Sequence, residues 1–539
     1  MKSELCILIP AIKKNVAFPD DLIKKLGGTP LIQRIIDTGK SITSADNIVV
    51  ATDSQEIGLV CEKNGVRCFY NPELRLKGDN ILQNLRVQTL KLYREYPYLL
   101  IMYPYAPLIS PDVICDAYNV FKDKRPDVLV SVKKQRLRVY GANHASLGQT
   151  FLADNHSQIM VEVKGFVLLR SNLIREKNTN PSVEPFILEK ESCEITSYRD
   201  WWVCEKLLKR RRIVFRVIGN RNVGMGHIYR CLTLAHEITD HEIIFVSDKS
   251  SMLAVNRITG SDYLIHVFPD EEIADQIVAL EPHLVINDIL DTDASYVRRL
   301  RDNGIRVVNF EDLGSGACHS NITFNELYAE SATDESGNIF WGHEYFFLRE
   351  EFLYAVPRSF QPMVRNILVT FGGTDQHNLT QKVLSRILPI CKQHSIFVQI
   401  VTGPGYSHKN DLAEFIRNCG YEEVDFTFAT GIISKLMEAA DIAVCSNGRT
   451  VYELAHMNIP SIVISQHKRE ETHGFACADN GFLSAGCVED GCVQTAVEAQ
   501  LKHLVLDIDY RRALFDRMVR FDFLKNKSTV VSMIQKLVE

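Results

Sequence analysis

Short β-branched segments alternate with longer amphipathic segments along the whole chain of 539 residues. The runs LCILI (residues 5–9), IVFRVI (213–218) and NILVTF (366–371) are each followed by a helical pattern. Strands that alternate with helices form parallel sheets covered on both faces, because a crossover between parallel strands needs a helix-sized connection. The sequence therefore predicts an α/β protein, and its length predicts three or four folding units at ~100–200 residues each.

The strand–helix pattern restarts twice, which predicts domains at 1–212, 213–360 and 361–539. Two doubly wound units in tandem form a cleft between the carboxyl ends of their strands, where ligands bind. The strands predicted in the three domains are 5–9, 47–51, 98–103, 127–132 and 159–169; then 213–218, 242–246, 263–268, 283–287 and 305–310; then 366–371, 396–401, 441–445 and 461–465.

Composition excludes several classes of partner. The 61 basic and 67 acidic residues leave a net charge of -6, which offers no basic surface to nucleic acid. The apolar runs are shorter than the ~20 residues of a membrane-spanning helix, and the start of the chain has no signal peptide. The 14 cysteines contain no C-x-x-C and are typical of reduced thiols rather than a metal site or disulfides. We expect a soluble, cytoplasmic protein without nucleic-acid or membrane partners.

A histidine follows a glycine turn in VIGNRNVGMGHIYRCLTLAHEI (217–238). Gly224 and Gly226 allow a tight turn and a close approach of a ligand to the backbone. His227 then falls at the start of an amphipathic helix, where the helix dipole disfavours its protonation and keeps it available as a base. A histidine that only caps the helix is the alternative. Arg230 is a candidate for a phosphate or carboxylate, although a surface arginine is equally common.

Two polar turns follow strands in the last domain. Backbone N–H groups at a helix start favour a diphosphate, and Glu453 on the following helix could accept bonds from ribose hydroxyls or simply complement the dipole. The turn at the helix start consists of Ser446, Asn447, Gly448 and Arg449. The other turn, at the mouth of the same domain, contains Gly372, Gly373, Thr374 and Asp375.

Four segments carry a specific resemblance, namely GMGHIYRCLTLA, WGHEYFFLREEF (341–352), ILVTFGGTDQHNLT and SNGRTVYELAHMNIPSIVI. In this order they resemble the UDP-sugar hydrolase of the pseudaminic acid pathway and its spore-coat-polysaccharide relatives, across residues 213–535. Those proteins are similar to the peptidoglycan N-acetylglucosaminyltransferase and share its two-lobed GT-B fold, which has two doubly wound parallel sheets.

This resemblance implies that His227 lies beside the anomeric carbon and activates a water that displaces UDP with inversion, without a metal or other cofactor. It implies that the turn 446–450, including Thr450, holds the diphosphate and that Glu453 holds the ribose. Asp288 and Asn325 match polar family positions on the sugar side. The loop after SIVIS departs from the family's Asn-Gln pair, and it supplies His467, Lys468 and Arg469 for an anionic ligand.

The first domain resembles the CMP-sialic acid synthetase (acylneuraminate cytidylyltransferase) family in ILIPA, GGTPLIQRIID (27–37), NPELRLKGD ending at Asp79, YPYAPLIS (103–110) and RDWWVCEKLL (199–208). The resemblance implies a Rossmann-like nucleotidyltransferase domain, Mg²⁺ only if this domain is active, and a homodimer formed through it. The family's triphosphate side chains and metal carboxylates are replaced, and Lys13 or Lys14 would have to substitute. The replacing residues are Ile12, Asn15, Val16, Asp21, Leu22, Glu194 and Thr196.

The sequence thus predicts a hydrolase that cleaves a UDP-linked acetamido or deoxy sugar to free sugar and UDP in nonulosonic acid biosynthesis (pseudaminic, legionaminic or sialic type). Three alternatives stay open. The protein could also act as a CMP-nonulosonate cytidylyltransferase, it could be a GT-B glycosyltransferase because the same fold serves other acceptors, or it could be a sugar-nucleotide sensor without turnover.

Overall fold

The structure, a computed structural model, describes residues 4–13, 18–74, 95–136, 158–175, 180–189, 192–220, 222–329, 337–491 and 493–539. The chain separates into two compact units, Met1–Arg210 and Arg211–Glu539. Within the described segments, no helix has both the length and the apolar character that crossing a bilayer requires.

The first unit contains one seven-stranded sheet, and all five predicted strands are present. Strand β8 (Gln158–Arg170) lies between β6 (Tyr98–Met102) and β7 (Val128–Arg136) and runs antiparallel to both, whereas the pattern had suggested parallel strands throughout. Apolar periodicity reports burial and not strand direction, so the sequence did not reveal this. The strands are β1 Leu5–Ala11, β2 Lys25–Leu26, β3 Thr29–Pro30, β4 Ile48–Thr52, β5 Arg67–Tyr70, β6 Tyr98–Met102, β7 Val128–Arg136, β8 Gln158–Arg170 and β9 Val183–Ile187. The helices are α1 Leu31–Ile42, α2 Gln55–Asn64, α3 Pro111–Lys124, α4 Asn172–Arg175 and α5 Tyr198–Leu208.

The second unit has two lobes, and its first lobe contains a seven-stranded parallel sheet in the order β12-β11-β10-β13-β14-β15-β16. All five predicted strands form, and two short ones extend the sheet. The strands are β10 Arg212–Val217, β11 Glu242–Asp248, β12 Ile265–Phe268, β13 Leu284–Asp288, β14 Arg306–Phe310, β15 Ile322–Asn325 and β16 Ile339–Trp341. The helices are α6 Gly226–Glu237, α7 Met252–Thr259, α8 Ile273–Ala279 and α9 Ala294–Asp302.

The second lobe contains a six-stranded parallel sheet in the order β19-β18-β17-β20-β21-β22. The strands are β17 Asn366–Thr370, β18 Phe397–Thr402, β19 Val424–Phe428, β20 Ile442–Ser446, β21 Ser461–Ser465 and β22 Phe482–Cys487. The helices are α10 Leu379–His394, α11 Lys409–Asn418, α12 Ser434–Met437, α13 Thr450–His456, α14 Lys468–Glu471, α15 Val493–Leu506, α16 Ile508–Met518 and α17 Asn526–Gln535. Two doubly wound parallel sheets confirm the predicted two-lobed fold.

The last helix, α17, joins the two lobes. Val530, Val531 and Ile534 of this helix pack into the apolar core of the first lobe, beside Ile213 and Phe215 of β10. The predicted third domain, 361–539, therefore gives its final helix to the other lobe, and both lobes share one packed unit.

Candidate active site

The carboxyl ends of strands from both lobes of the second unit surround a cavity of about 290 Å³. Most of the predicted site residues line it. Those from the predicted set are Gly224, Gly226, His227, Gly372, Gly373, Thr374, Ser446, Gly448, Arg449, Thr450 and Glu453. The remaining four, Arg230, Asp288, Asn325 and Asn447, are buried and do not line it.

The glycine turns bring the two lobes close together. Gly224 has φ +86°, a left-handed conformation that favours glycine, and Gly226 begins helix α6. A Cβ atom on Gly226 would lie 3.3 Å from Cδ of Arg449, and one on Gly373 would lie 2.9 Å from Cγ of Met225. Gly373 therefore leaves no room for a side chain and Gly226 leaves little, because the facing lobe approaches the backbone where the turns meet at the cavity.

His227 is the second residue of α6 and is 5% exposed, at the cavity wall. Its Nδ1 lies 2.5 Å from Oδ1 of Asp288, the last residue of β13. Asp288 is fully buried, so it contacts the imidazole ring rather than the ligand side to which the resemblance had assigned it. A carboxylate that accepts from Nδ1 favours the tautomer in which Nε2 can accept a proton, and Nη2 of Arg230 lies 3.2 Å from the same Nδ1.

Arg230, for which the sequence suggested a ligand phosphate or carboxylate, does not line the cavity. Its side chain is fully buried, and its guanidinium donates to Asp288 through Nε at 2.7 Å and also through Nη2. Its Nη1 donates to Oε1 of Glu311 and to Oε1 of Glu326, each at 2.6 Å. The arginine therefore holds together three carboxylates that follow or end strands β13, β14 and β15.

Arg449 completes this buried charge cluster from the other lobe by donating to Oε1 of Glu326 and to the carbonyl of Phe347. Three carboxylates then face two guanidinium groups. Burial alone would raise the pKa of the Asp288 carboxyl, but Arg230 and His227 hold it well below its usual value. Burial raises the pKa of Glu326, and its Oε2 accepts no hydrogen bond from the described part of the chain.

The side-chain amides of Asn325 and Asn447, two residues that the sequence assigned to the site, make hydrogen bonds within the chain. The Asn325 side chain is fully buried, accepts from the backbone N–H of Asp312 at 2.9 Å and donates to its carbonyl at 3.0 Å. The Nδ2 of Asn447 donates to the carbonyl of Glu470 at 2.7 Å, which ties the 446–450 turn to the next loop. Asn325 thus satisfies both groups of its amide within the chain, as a buried amide requires, whereas the buried Oδ1 of Asn447 accepts no hydrogen bond from the described residues.

Glu453 lies on α13 and lines the cavity, where its Oε1 accepts from Nε of Arg349 at 2.9 Å. Arg349 belongs to the WGHEYFFLREEF segment and also lines the cavity. Its guanidinium carbon lies 5.3 Å from the ring centre of Tyr229, which follows His227 on α6. Glu453, the residue predicted to bind the ribose, is thus held by the guanidinium group of Arg349. The orientation of its carboxylate is therefore fixed before a nucleotide binds.

The loop after β21 contributes several wall residues. Arg469 bridges the lobes, since Nη1 and Nη2 lie 2.7 and 2.9 Å from the two carboxylate oxygens of Asp291. His467 also lines the cavity, whereas Lys468 pairs with Asp490 at 2.7 Å and does not line it. Burial raises the pKa of Glu470 to about 7.

Sequence reasoning missed several polar residues of the cavity wall, among them Tyr229, Glu311, Arg349, Glu470 and His473. Of these, Glu311 directly follows a strand, β14, and a search for polar residues at strand ends could have found it.

The residues that the structure describes at the expected nucleotide site of the first unit do not include the family's triphosphate and metal side chains. Lys13 is engaged by Asp20 at 3.0 Å and by Glu56 at 2.6 Å. Glu194 accepts from the backbone N–H of Lys164, and the Thr196 hydroxyl donates to Asp200 at 2.6 Å. One engaged carboxylate does not match a paired-carboxylate Mg²⁺ site. Lys14, Asn15, Val16 and Asp79 lie outside the described residues.

Two family models match separate parts of the chain. Residues 7–199 match Cytidylyltransferase, and residues 366–518 match the Glycosyltransferase family 28 C-terminal domain. The chain joins a cytidylyltransferase-like part to a glycosyltransferase-like part. The predicted resemblance is confirmed for both parts.

Three relatives match about half of this chain each. An uncharacterized protein of Methanocaldococcus jannaschii is 28% identical over 273 residues, covering 46% of this chain and 54% of that protein, so the chain spans about half its length. Spore coat polysaccharide biosynthesis protein SpsG of Bacillus subtilis is 25% identical over 276 residues, covering 49% and 80%. UDP-2,4-diacetamido-2,4,6-trideoxy-beta-L-altropyranose hydrolase of Campylobacter jejuni is 23% identical over 282 residues, covering 50% and 97%.

Proposed function

We propose that the second unit hydrolyses a UDP-linked sugar, with His227 as the general base. The observation that carries this proposal is that the ring of His227, bonded to Asp288, lines the same cavity as Ser446, Gly448, Arg449 and Thr450. A base and a group of anion-binding donors on one cavity are what the hydrolysis of a sugar diphosphate needs.

In the proposed reaction, a water donates a proton to Nε2 of His227 while its oxygen bonds to the anomeric carbon. The bond between that carbon and the diphosphate oxygen breaks, which releases UDP and a free sugar of inverted configuration. Arg449 and the backbone N–H groups at the start of α13 meet the negative charge on UDP, whereas the N–H of Asn447 already donates to the carbonyl of Ile464. Asp288 is a positioning residue that stabilises the imidazolium of His227. General-base assistance by a residue such as His227 typically increases the rate by ~10²–10⁴.

The reaction we propose needs no metal. Each carboxylate of the cluster around His227 already accepts a bond from a guanidinium group, so these carboxylates are paired with cations of this chain rather than available to a metal ion. Hydrolysis that continues unchanged in the presence of a chelator supports this part of the proposal.

The substrate we propose is a UDP-linked acetamido or deoxy sugar that leads to a nonulosonic acid. The support is the similarity to the Campylobacter jejuni hydrolase, which covers 97% of that protein, and to the Bacillus subtilis polysaccharide biosynthesis protein.

A panel of UDP-, GDP- and CMP-sugars, assayed for nucleotide release without any acceptor, tests the proposal. We expect UDP and free sugar to appear together. Release that depends strictly on an acceptor would favour a glycosyltransferase, and UDP binding without release would favour a sensor. Hydrolysis in ¹⁸O-water places the label on the sugar if the carbon–oxygen bond breaks and on UDP if the phosphorus–oxygen bond breaks.

Cytidylyl transfer by the first unit is a second candidate, because residues 7–199 match the cytidylyltransferase model. The ion pairs of Lys13 and the single carboxylate at Glu194 weigh against it. Incubation with CTP, Mg²⁺ and a nonulosonic acid separates the two views. We expect no sustained pyrophosphate release, and its appearance would establish a bifunctional enzyme.

A further inference from the structure

Glu311 follows β14 directly and lines the cavity with an uncommon backbone conformation. Its φ is +53°, in the left-handed region that few residues other than glycine adopt. The surrounding structure holds this conformation from both sides. Its N–H donates to the carbonyl of Phe324 at 2.9 Å, and its carbonyl accepts from Arg469 of the other lobe at 2.7 Å. Strained backbone that neighbours fix in this way clusters at ligand sites.

Of the three carboxylates in the buried cluster, that of Glu311 lines the cavity and can contact a ligand. Asp288 and Glu326 share Arg230 with it, yet both are fully buried and neither lines the cavity. Glu311 is 6% exposed and accepts from Arg230 at 2.6 Å. Burial would raise its pKa, but the charges of Arg230 and His227 lower the pKa to about 2, so the group is an anion at neutral pH.

The negative charge of the Glu311 carboxylate determines which group of a ligand can lie beside it on the cavity wall. A diphosphate beside it would be repelled, whereas the 446–450 turn and Arg449 offer the diphosphate donors and positive charge. Glu311 also belongs to the cluster that holds His227, and in the proposed reaction the anomeric carbon lies at His227. The sugar is therefore the part of the substrate that faces Glu311.

We propose that Glu311 selects the sugar: its carboxylate accepts a hydrogen bond from a hydroxyl or amide N–H group of a neutral sugar and excludes sugars that carry a carboxylate. This inference rests on the proposed function for the presence of a UDP-sugar in the cavity. It names neutral, donor-bearing UDP-sugars as the substrate class and excludes UDP-uronic acids.

Binding measured by calorimetry tests this without turnover, on the full chain carrying His227→Asn. The probes are UDP-glucose and UDP-glucuronic acid, which differ by one carboxylate. We expect UDP-glucuronic acid to bind about 10- to 100-fold more weakly, the range that bonds to charged groups support. Adding Glu311→Gln should bring this ratio close to one with UDP affinity unchanged, whereas Glu311→Asp, which keeps the charge, should preserve it.

Glu453→Gln is the matched control, because Glu453 is another acid of the same wall but pairs with Arg349. Glu453→Gln should weaken the binding of UDP itself and leave the ratio of the two UDP-sugar affinities unchanged. A ratio near one in the His227→Asn chain, or a ratio that Glu311→Gln does not move, would overturn the inference while acceptor-free hydrolysis could still stand. If the affinity ratios are as expected but the unsubstituted chain hydrolyses no UDP-sugar, the proposed function would be wrong and the inference about Glu311 would stand. Absence of UDP-sugar binding would overturn both.

Discussion

Replacing Asp288 by asparagine removes one negative charge from the cluster behind His227 while keeping the shape of the side chain. The cluster has three carboxylates against two guanidinium groups, Arg230 and Arg449. Asp288→Asn leaves two carboxylates and two guanidinium groups. The buried charges of opposite sign are then equal in number, and no uncompensated charge remains. We therefore expect a loss of only about 1–3 kcal/mol in unfolding free energy, the value of the weakened charge-assisted bonds.

The catalytic cost should be much larger. The imidazolium formed on His227 loses the anion that lies 2.5 Å from its Nδ1, and we expect kcat to fall by about 10²–10⁴, the usual range for base assistance. Asp288 does not line the cavity, so KM should stay within a few-fold. Steady-state UDP release and thermal unfolding measure the two effects on the same preparation.

Arg230→Met is the comparison from the other side of the same ion pair. It leaves three buried carboxylates with one guanidinium group, and we expect it to cost about 3–5 kcal/mol in stability. Near-normal kcat in Asp288→Asn would refute the role of the bond between Nδ1 and the carboxylate. Equal destabilisation by the two variants would refute the charge balance.

Two further predictions concern the loop after β21. Burial raises the pKa of Glu470 from 4.5 to about 7, so the folded state keeps a proton that the unfolded chain releases, and stability falls as the pH rises from 4.5 to 7. Glu470→Gln should therefore raise the stability of the second unit by up to about 3 kcal/mol at pH 8 and change it little at pH 4.5; thermal unfolding at both pH values checks this, and equal effects would contradict it. Arg469→Lys cannot reproduce the two bonds to Asp291, so we expect kcat/KM to fall about fivefold, and an unchanged value would show that this bridge between the lobes does not shape the cavity.

The sequence was sufficient to predict the frame of the fold because continuous apolar runs between helical patterns identify buried strands. It missed β2, β3, β15 and β16, which have two to four residues, and β5, β9, β19 and β22, which have partly exposed residues. Short or partly exposed strands have little apolar pattern to detect. The placement of His227 on the second residue of a helix after a glycine turn was also predictable, because both signals are local.

The environment of Arg230 could not be predicted from the local sequence. Helical periodicity assigned the core face of α6 to Ile228, Cys231 and other apolar residues, which left Arg230 for a ligand. The three carboxylates that pair with Arg230 belong to residues 58, 81 and 96 positions further along the chain, at the ends of three different strands. Only the order of strands in the sheet brings them together.

The central claim is that His227 acts chemically on a UDP-sugar that the 446–450 turn holds. The most direct test is His227→Asn, studied by calorimetric titration with UDP and by acceptor-free UDP release. The account predicts UDP affinity close to that of the unsubstituted protein and turnover lower by about 10²–10⁴. A parallel loss of affinity and turnover would mean that the ring only supports the fold, and unchanged turnover would remove His227 from the reaction.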